Sequence, residues 1–195
     1  MQPYGLSLLT APATEPLTTA EAKAHLRVQH ADEDTLIDGL VKAARQLVED
    51  RTGRQLVTAT WDVTFDRFPC GRERLKLPKF PTQSVTSVTY KDTNGDPQTW
   101  PTADYRVDTK REPAVIAPAA SAYYPSTIRE PAAVTVRVVA GYGAASAVPQ
   151  AAKQAMYLII AHLYEHRGDE APPMMGDLML SVDAWLRLLD SGEWF

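Results

Sequence analysis

The residues best suited to chemistry lie late in the chain, at His162-Leu163-Tyr164-Glu165-His166. Two imidazoles one helical turn apart with a carboxylate between them match the H-x-x-E-H order of the inverted zinc peptidases. Such a centre needs a third protein ligand, normally a carboxylate well downstream on another helix, and leaves the fourth position to water. The acidic residues that follow, Asp169, Glu170, Asp177, Asp183, Asp190 and Glu193, form no recognisable ligand motif. The pattern therefore reads as two histidines on the border of an amphipathic helix. A small zinc hydrolase using His162, Glu165 and His166 is the enzymatic alternative.

Three other patterns reach for chemistry and stop short. Gly141-x-Gly143-x-x-Ser146 stands between a strand and a helix, the setting of a dinucleotide fingerprint. No strand follows that helix to complete a parallel unit, so the glycines read as a tight strand exit. Asp92-x-Asn94-x-Asp96 opens like a calcium loop, but Pro97 sits where the loop needs its glycine and Ala103 where it needs its closing Glu, which leaves a hairpin turn. Cys70 has arginines close by that could favour a thiolate, but no histidine near it in sequence to act as base. No cofactor and no metal are expected.

The elements that would position these residues fall in the order helices, strands, helices. Residues 1–16 hold three prolines and no sustained periodicity, and read as an arm that is disordered or ordered only against a partner. Thr18-Thr19-Ala20-Glu21 has capping-box spacing and opens a short helix to about Val28. Asp32, Glu33 and Asp34 suit the start of the next helix, where carboxylates complement the macrodipole. Its stripe is Leu36, Ile37, Leu40, Val41, Ala44, Leu47 and Val48, and Gly53 ends it. From Val57 to Phe65 the period becomes two. Further strands are expected at Arg74 to Leu77, Val85 to Tyr90, Gln98 to Trp100, Tyr105 to Asp108, Ala114 to Ile116 and Val134 to Val139. Short strands with short turns imply antiparallel pairing. Pro149 then opens a helix striped by Ala152, Met156, Ile159, Ile160 and Leu163, and a last helix repeats Leu178, Val182, Trp185, Leu186 and Leu189.

Composition narrows the partners. The 195 residues carry 20 basic and 24 acidic side chains, a net charge of −4, which disfavours gripping DNA through its phosphates. One cysteine excludes an intrachain disulfide and fits a reducing compartment. The N-terminus has no secretory pattern, and the longest apolar run, Ala155 to Ala161, is far shorter than the roughly 20 residues of a membrane span. Lys and Arg at 72, 74, 76 and 79 cluster on one expected hairpin, as a solvated loop or a charged partner contact. Trp194 and Phe195 either fold back on the core or anchor on another protein, and the apolar Tyr4, Leu6, Leu8 and Leu9 raise the same question.

The whole chain resembles the head-tail connector, or adaptor, proteins of long-tailed bacteriophages and gene transfer agents. The likeness rests on Leu17 to Val28, Asp32-Glu33-Asp34 with Leu36 and Ile37, Thr52-Gly53-Arg54, Trp61, Leu77-Pro78, Val85 to Tyr90 and Asp104 to Asp108. It continues through Ala140-Gly141-Tyr142-Gly143, Val148-Pro149 and Ala161 to Arg167, and covers about residues 17 to 168. The resemblance implies an α+β fold: a helical bundle formed by N- and C-terminal helices, with an inserted antiparallel β-module. The divisions are then an arm at 1–16, a helical hairpin at 17–54, the insertion at 55–140, and the helices completing the bundle, with a tail, at 141–195.

It implies no catalysis. It implies a structural virion protein, assembled in the host bacterial cytoplasm, with about twelve copies in a ring below the portal. The partners are the portal protein on one side and the downstream neck or tail-completion protein on the other, with no membrane. DNA leaves through the lumen without specific binding. A different neck or tail-completion protein of similar fold is the structural alternative. Portal contact is assigned as an expectation to Trp185, Leu189, Trp194 and Phe195, and subunit contact to Arg72, Arg74 and Lys76, reaching a neighbour's acidic helix. A dozen subunits would give a ring charge on the order of −50, and an acidic lumen would let DNA slide without sticking.

Overall fold

The computed structural model describes residues 3–71, 73–166 and 175–189. It is an α+β protein whose chain divides into two compact units, one of Met1–Ala13 with Thr58–Tyr142, the other of Thr14–Val57 with Gly143–Phe195.

Among the described residues, the first unit holds eight antiparallel strands: β1 (Tyr4–Thr10), β2 (Ala59–Phe65), β3 (Leu75–Lys76), β4 (Thr82–Lys91), β5 (Pro97–Thr99), β6 (Tyr105–Asp108), β7 (Val115–Pro118) and β8 (Val134–Ala140). They form a five-stranded sheet in the order β1-β2-β8-β4-β5 and a three-stranded sheet in the order β3-β7-β6. Period-two alternation sets the register. Ala59, Val63 and Phe65 of β2 lie opposite Ala140, Val136 and Val134 of β8, and all six are buried. On the other face, Arg137 donates to both carboxylate oxygens of Asp62, directly across the ladder, at 2.8 and 2.9 Å.

One core cluster joins the two sheets, combining Val63, Phe65, Val88 and Val136 with Leu75, Tyr105 and Ile116. Trp100 lies in that cluster with its ring 5.3 Å from Phe68, 5.0 Å from Tyr105 and 5.4 Å from Tyr124. The Tyr124 hydroxyl donates to the Glu73 carbonyl at 2.7 Å, and burial pushes its pKa up to about 12.

The Asp92 segment is the expected hairpin turn. Its Oδ1 accepts from the Asn94 and Asp96 N–H groups at 2.8 and 3.1 Å, and Gly95 takes φ 90°. Those backbone bonds, Asn94 first, hold the Asp92 carboxyl below its ordinary range.

Two local readings of the sequence are corrected here. Tyr4–Thr10, expected within an arm, is a strand paired with β2, and Gly5 lets it approach closely, since a Cβ there would meet Thr64 Oγ1 at 2.5 Å. Lys79, counted in an exposed basic cluster, is buried with its ammonium 4.5 Å from the centroid of the Trp61 ring. The face of an indole is an electrostatic partner for a cation, and it offsets part of the cost of burying this charge.

The second unit holds α1 (Thr19–Leu26), α2 (Asp34–Thr52), α3 (Gln150–Glu165) and α4 (Met175–Leu186). Helix α2 packs on α3, α3 packs on α4, and α1 touches both α2 and α3. Ile37, Val41, Ala44 and Val48 form the buried stripe of α2, met by Ala152, Ala155, Met156, Ile159 and Ile160 of α3. The α2 C-terminus closes at Gly53, with φ 64°. Glu49, one turn before it, fixes the chain that follows. Its Oε1 accepts from Gln55 Nε2 at 2.7 Å and from the Leu56 N–H at 3.0 Å, while its Oε2 accepts from Arg45 at 2.7 Å. Arg45 also donates to Glu15 at 2.7 Å, which ties the segment before α1 to α2.

The capping box forms as its spacing requires. The Glu21 N–H donates to Thr18 Oγ1 at 3.2 Å, and the Thr18 N–H donates to the Glu21 carboxylate at 2.8 Å. Thr18→Ala is expected to lose about 1 kcal/mol. The Thr18 backbone bond, then the hydroxyl bond, lower the Glu21 pKa from 4.5 in the folded chain. A carboxylate depressed on folding stabilises fully above its ordinary value and loses that contribution as pH falls through the lowered one. The gap between wild type and Thr18→Ala in thermal unfolding should therefore narrow from pH 6 to pH 3.

Candidate interaction surface

The H-x-x-E-H segment ends α3. The His162 and His166 rings lie against each other, centroids 4.3 Å apart, and His166 Nδ1 is 2.9 Å from the His162 carbonyl oxygen. His162 Nε2 is buried without a hydrogen-bond partner among the described residues, and Tyr164 donates to the Glu33 carboxylate at the start of α2. Among the described residues no three His, Cys, Asp or Glu side chains gather as a metal would require. Asp169, Glu170, Asp190 and Glu193, candidates for a third ligand, lie outside the described residues.

Gly141 and Gly143, at φ 127° and 117°, carry the chain out of β8, and Pro149 takes the N-cap of α3. Cys70 is exposed and lines an open groove of about 940 Å³ with Phe68, Pro69, Tyr123, Pro125 and Ile128. Arg74, just before β3, and Lys76, within it, are exposed on either side of the buried Leu75. Arg72 lies outside the described residues.

What stands out instead is apolar surface. Along α4 and the 3₁₀ turn Arg187–Leu189, Val182, Leu186 and Leu189 are buried, whereas Leu180 and Leu188 are 70% and 69% exposed. Trp185 is 39% exposed between them in sequence. Leu189, expected on a docking surface, is thus a core residue: it follows Val182 and Leu186 at the spacing that returns a helix to one face. Trp194 and Phe195 lie outside the described residues. Leu180 and Leu188 escaped the sequence reading, and the signal that marks them is that both fall off the Val182-Leu186-Leu189 stripe. Beside this surface, Arg51, Arg54, Arg187, Asp183 and Leu186 line a cleft of about 310 Å³, with Arg51 donating to Asp183. In the first unit, Tyr4, Leu6, Leu8 and Leu9 of β1 are 42%, 41%, 46% and 51% exposed. No helix among the described residues is long and apolar enough to cross a membrane.

Both units thus hold leucines and aromatics at the surface, the residue types in which protein contacts are rich. A family model for head completion proteins matches residues 15–176, and the chain belongs to that family.

Solved structures agree along nearly the whole length. The chain is similar to one from the virion of a native gene transfer agent particle, with 26% identity and a TM-score of 0.74, covering 92% of this chain and 94% of that one. It is similar, again at 26% identity, to chains from the neck of an empty gene transfer agent particle computed with C6 symmetry, TM-score 0.71, and of a native particle computed with C12 symmetry, TM-score 0.70. Each of these two covers 93% of this chain and 94% of the other. No curated protein matches the chain.

Proposed function

We propose that the protein is a structural component of the virion neck, about twelve copies forming a ring below the portal through which DNA leaves the head. One observation carries this reading: the likeness to a chain of a C12-symmetric neck spans 93% of this sequence rather than one module. The helices of the two chain ends, 17–54 and 141–195, form the bundle of the ring, and 55–140 is the β-insertion. The portal lies on one side and the next neck protein on the other, and the protein catalyses nothing. Assembly takes place in the host bacterial cytoplasm.

The portal side is the exposed surface of Leu180, Trp185 and Leu188, and portal contact is assigned to Trp194 and Phe195 as well. Arg72, Arg74 and Lys76 face the neighbouring subunit. A net charge of −4 on each copy keeps the lumen from gripping the phosphate backbone as it passes.

The test is reconstitution with purified portal, imaged by electron microscopy. Wild type is expected to add a ring of about twelve copies. Leu180→Glu with Leu188→Glu is expected to weaken portal binding at least tenfold in a pull-down while the circular dichroism spectrum stays unchanged. A wild-type chain that neither binds portal nor forms a ring on it overturns the reading.

A further inference from the structure

β1 is an edge of the five-stranded sheet, and its residues, Tyr4-Gly5-Leu6-Ser7-Leu8-Leu9-Thr10, include no charge and no proline. Soluble proteins guard their edge strands with charges, prolines, bulges or brevity, because an open row of N–H and C=O groups recruits another chain. The opposite edge of the same sheet obeys that rule: β5 is three residues long and starts at Pro97, which has no N–H to offer. β1 has seven residues, and its one irregularity falls only between Leu8 and Thr10.

The register shows what the strand presents. Tyr4 lies opposite Phe65, Leu6 opposite Val63 and Leu8 opposite Trp61. Residues directly opposite share a face, so these three side chains continue the core face of β2 outward. Val63 and Phe65 are 0% and 2% exposed, whereas Tyr4, Leu6 and Leu8 are 41–46% exposed. The core face of the sheet runs on past the core.

We infer that β1 is covered by a second copy of this chain and forms one side of the contact between ring neighbours. This rests on the ring proposed above. Cyclic rings use a heterologous contact, in which each copy offers one surface and receives another, and the rotation closes. A neighbour in such a ring is present in the same number as the edges it must cover, so closure leaves no β1 exposed, as closure of a barrel leaves no edge strand. A partner in a different copy number would leave some edges open. The size of the patch points the same way. Four half-exposed side chains and one strand edge fall short of the roughly 800 Å² per partner typical of a stable pair. The contact therefore holds when a portal gathers many copies and the ring closes, and isolated copies stay apart.

Two measurements on portal-bound rings test this. A benzophenone amino acid at position 8 is expected, on irradiation, to produce a ladder of covalent multiples of this chain. The double substitution Leu6→Lys and Leu8→Lys, at positions already near half exposure, is expected to cut the number of complete rings at least tenfold. Portal binding by single copies should persist. Cross-links running to portal or to the next neck protein instead of to copies of this chain overturn the inference, as do wild-type numbers of rings from the double variant. If the double variant fails to fold, the cross-link decides alone. Absence of a ring from the wild-type chain overturns the ring reading itself and is seen before either variant is made.

Discussion

Glu49→Ala is expected to cost about 3–5 kcal/mol of unfolding free energy, the range for breaking a buried ion pair from one side. Glu49 is 6% exposed, and both of its carboxylate oxygens are engaged. Its partner Arg45 has a side chain 12% exposed. Burial works against the Arg45 charge, and Glu49 and Glu15 together outweigh it, so the guanidinium is held above its ordinary value. Among the described residues, removing Glu49 leaves that cation with Glu15 as its ion-pair partner, and strips the Leu56 N–H and the Gln55 amide of their shared acceptor.

Glu49→Gln keeps an acceptor for the Leu56 N–H while removing the charge, and is expected to lose less. Urea unfolding followed by far-ultraviolet circular dichroism measures both. A loss below 1 kcal/mol for Glu49→Ala would show that the network is dispensable. Since the pair is largely buried, raising the salt concentration should change the difference little.

Trp100→Ala is expected to cost a similar amount, about 3–5 kcal/mol, through the other unit. The indole is 2% exposed, and Phe68, Tyr105 and Tyr124 all pack against it. Truncation removes the transfer energy of the ring and leaves a cavity among large aromatics that cannot collapse without leaving their rotamers. Because those rings constrain one another, the near-ultraviolet circular dichroism should lose much of its aromatic signal even where the variant stays folded. Trp100→Phe should recover part of the stability. Unchanged stability in Trp100→Ala would mean that the cluster is not the centre of this core.

The elements were legible wherever periodicity was strong and local. Tyr105–Asp108 matches the expected strand residue for residue, and the cap at Thr18 and the αL residue at Gly53 announced the ends of their helices. β1 was harder. Tyr4, Leu6 and Leu8 do alternate, but over three residues only, and the strand that fixes them begins at Ala59, far along the chain. Lys79 and Leu189 failed for a related reason. Charge and stripe position say which side chains could face solvent, while an indole or a neighbouring helix decides which of them do. The histidine motif supplied two rings one turn apart, and among the described residues no third ligand joins them. The exposed leucines of α4 show up as interruptions of a pattern, a weaker signal than the pattern itself.

The chain visits its two units in alternation, and this has a consequence for synthesis. The β-rich unit has all of its strands once residue 142 has been made, whereas the helical unit needs segments on both sides of it. As the chain leaves the ribosome, α1 and α2 are released early with Ile37, Val41, Ala44 and Val48 still waiting for α3. For that interval the nascent chain carries a finished β-unit between an uncovered helical hairpin and helices not yet translated. Folding cooperativity of the helical unit therefore belongs to the end of translation, and nascent chains stalled before α3 are the species most prone to aggregate.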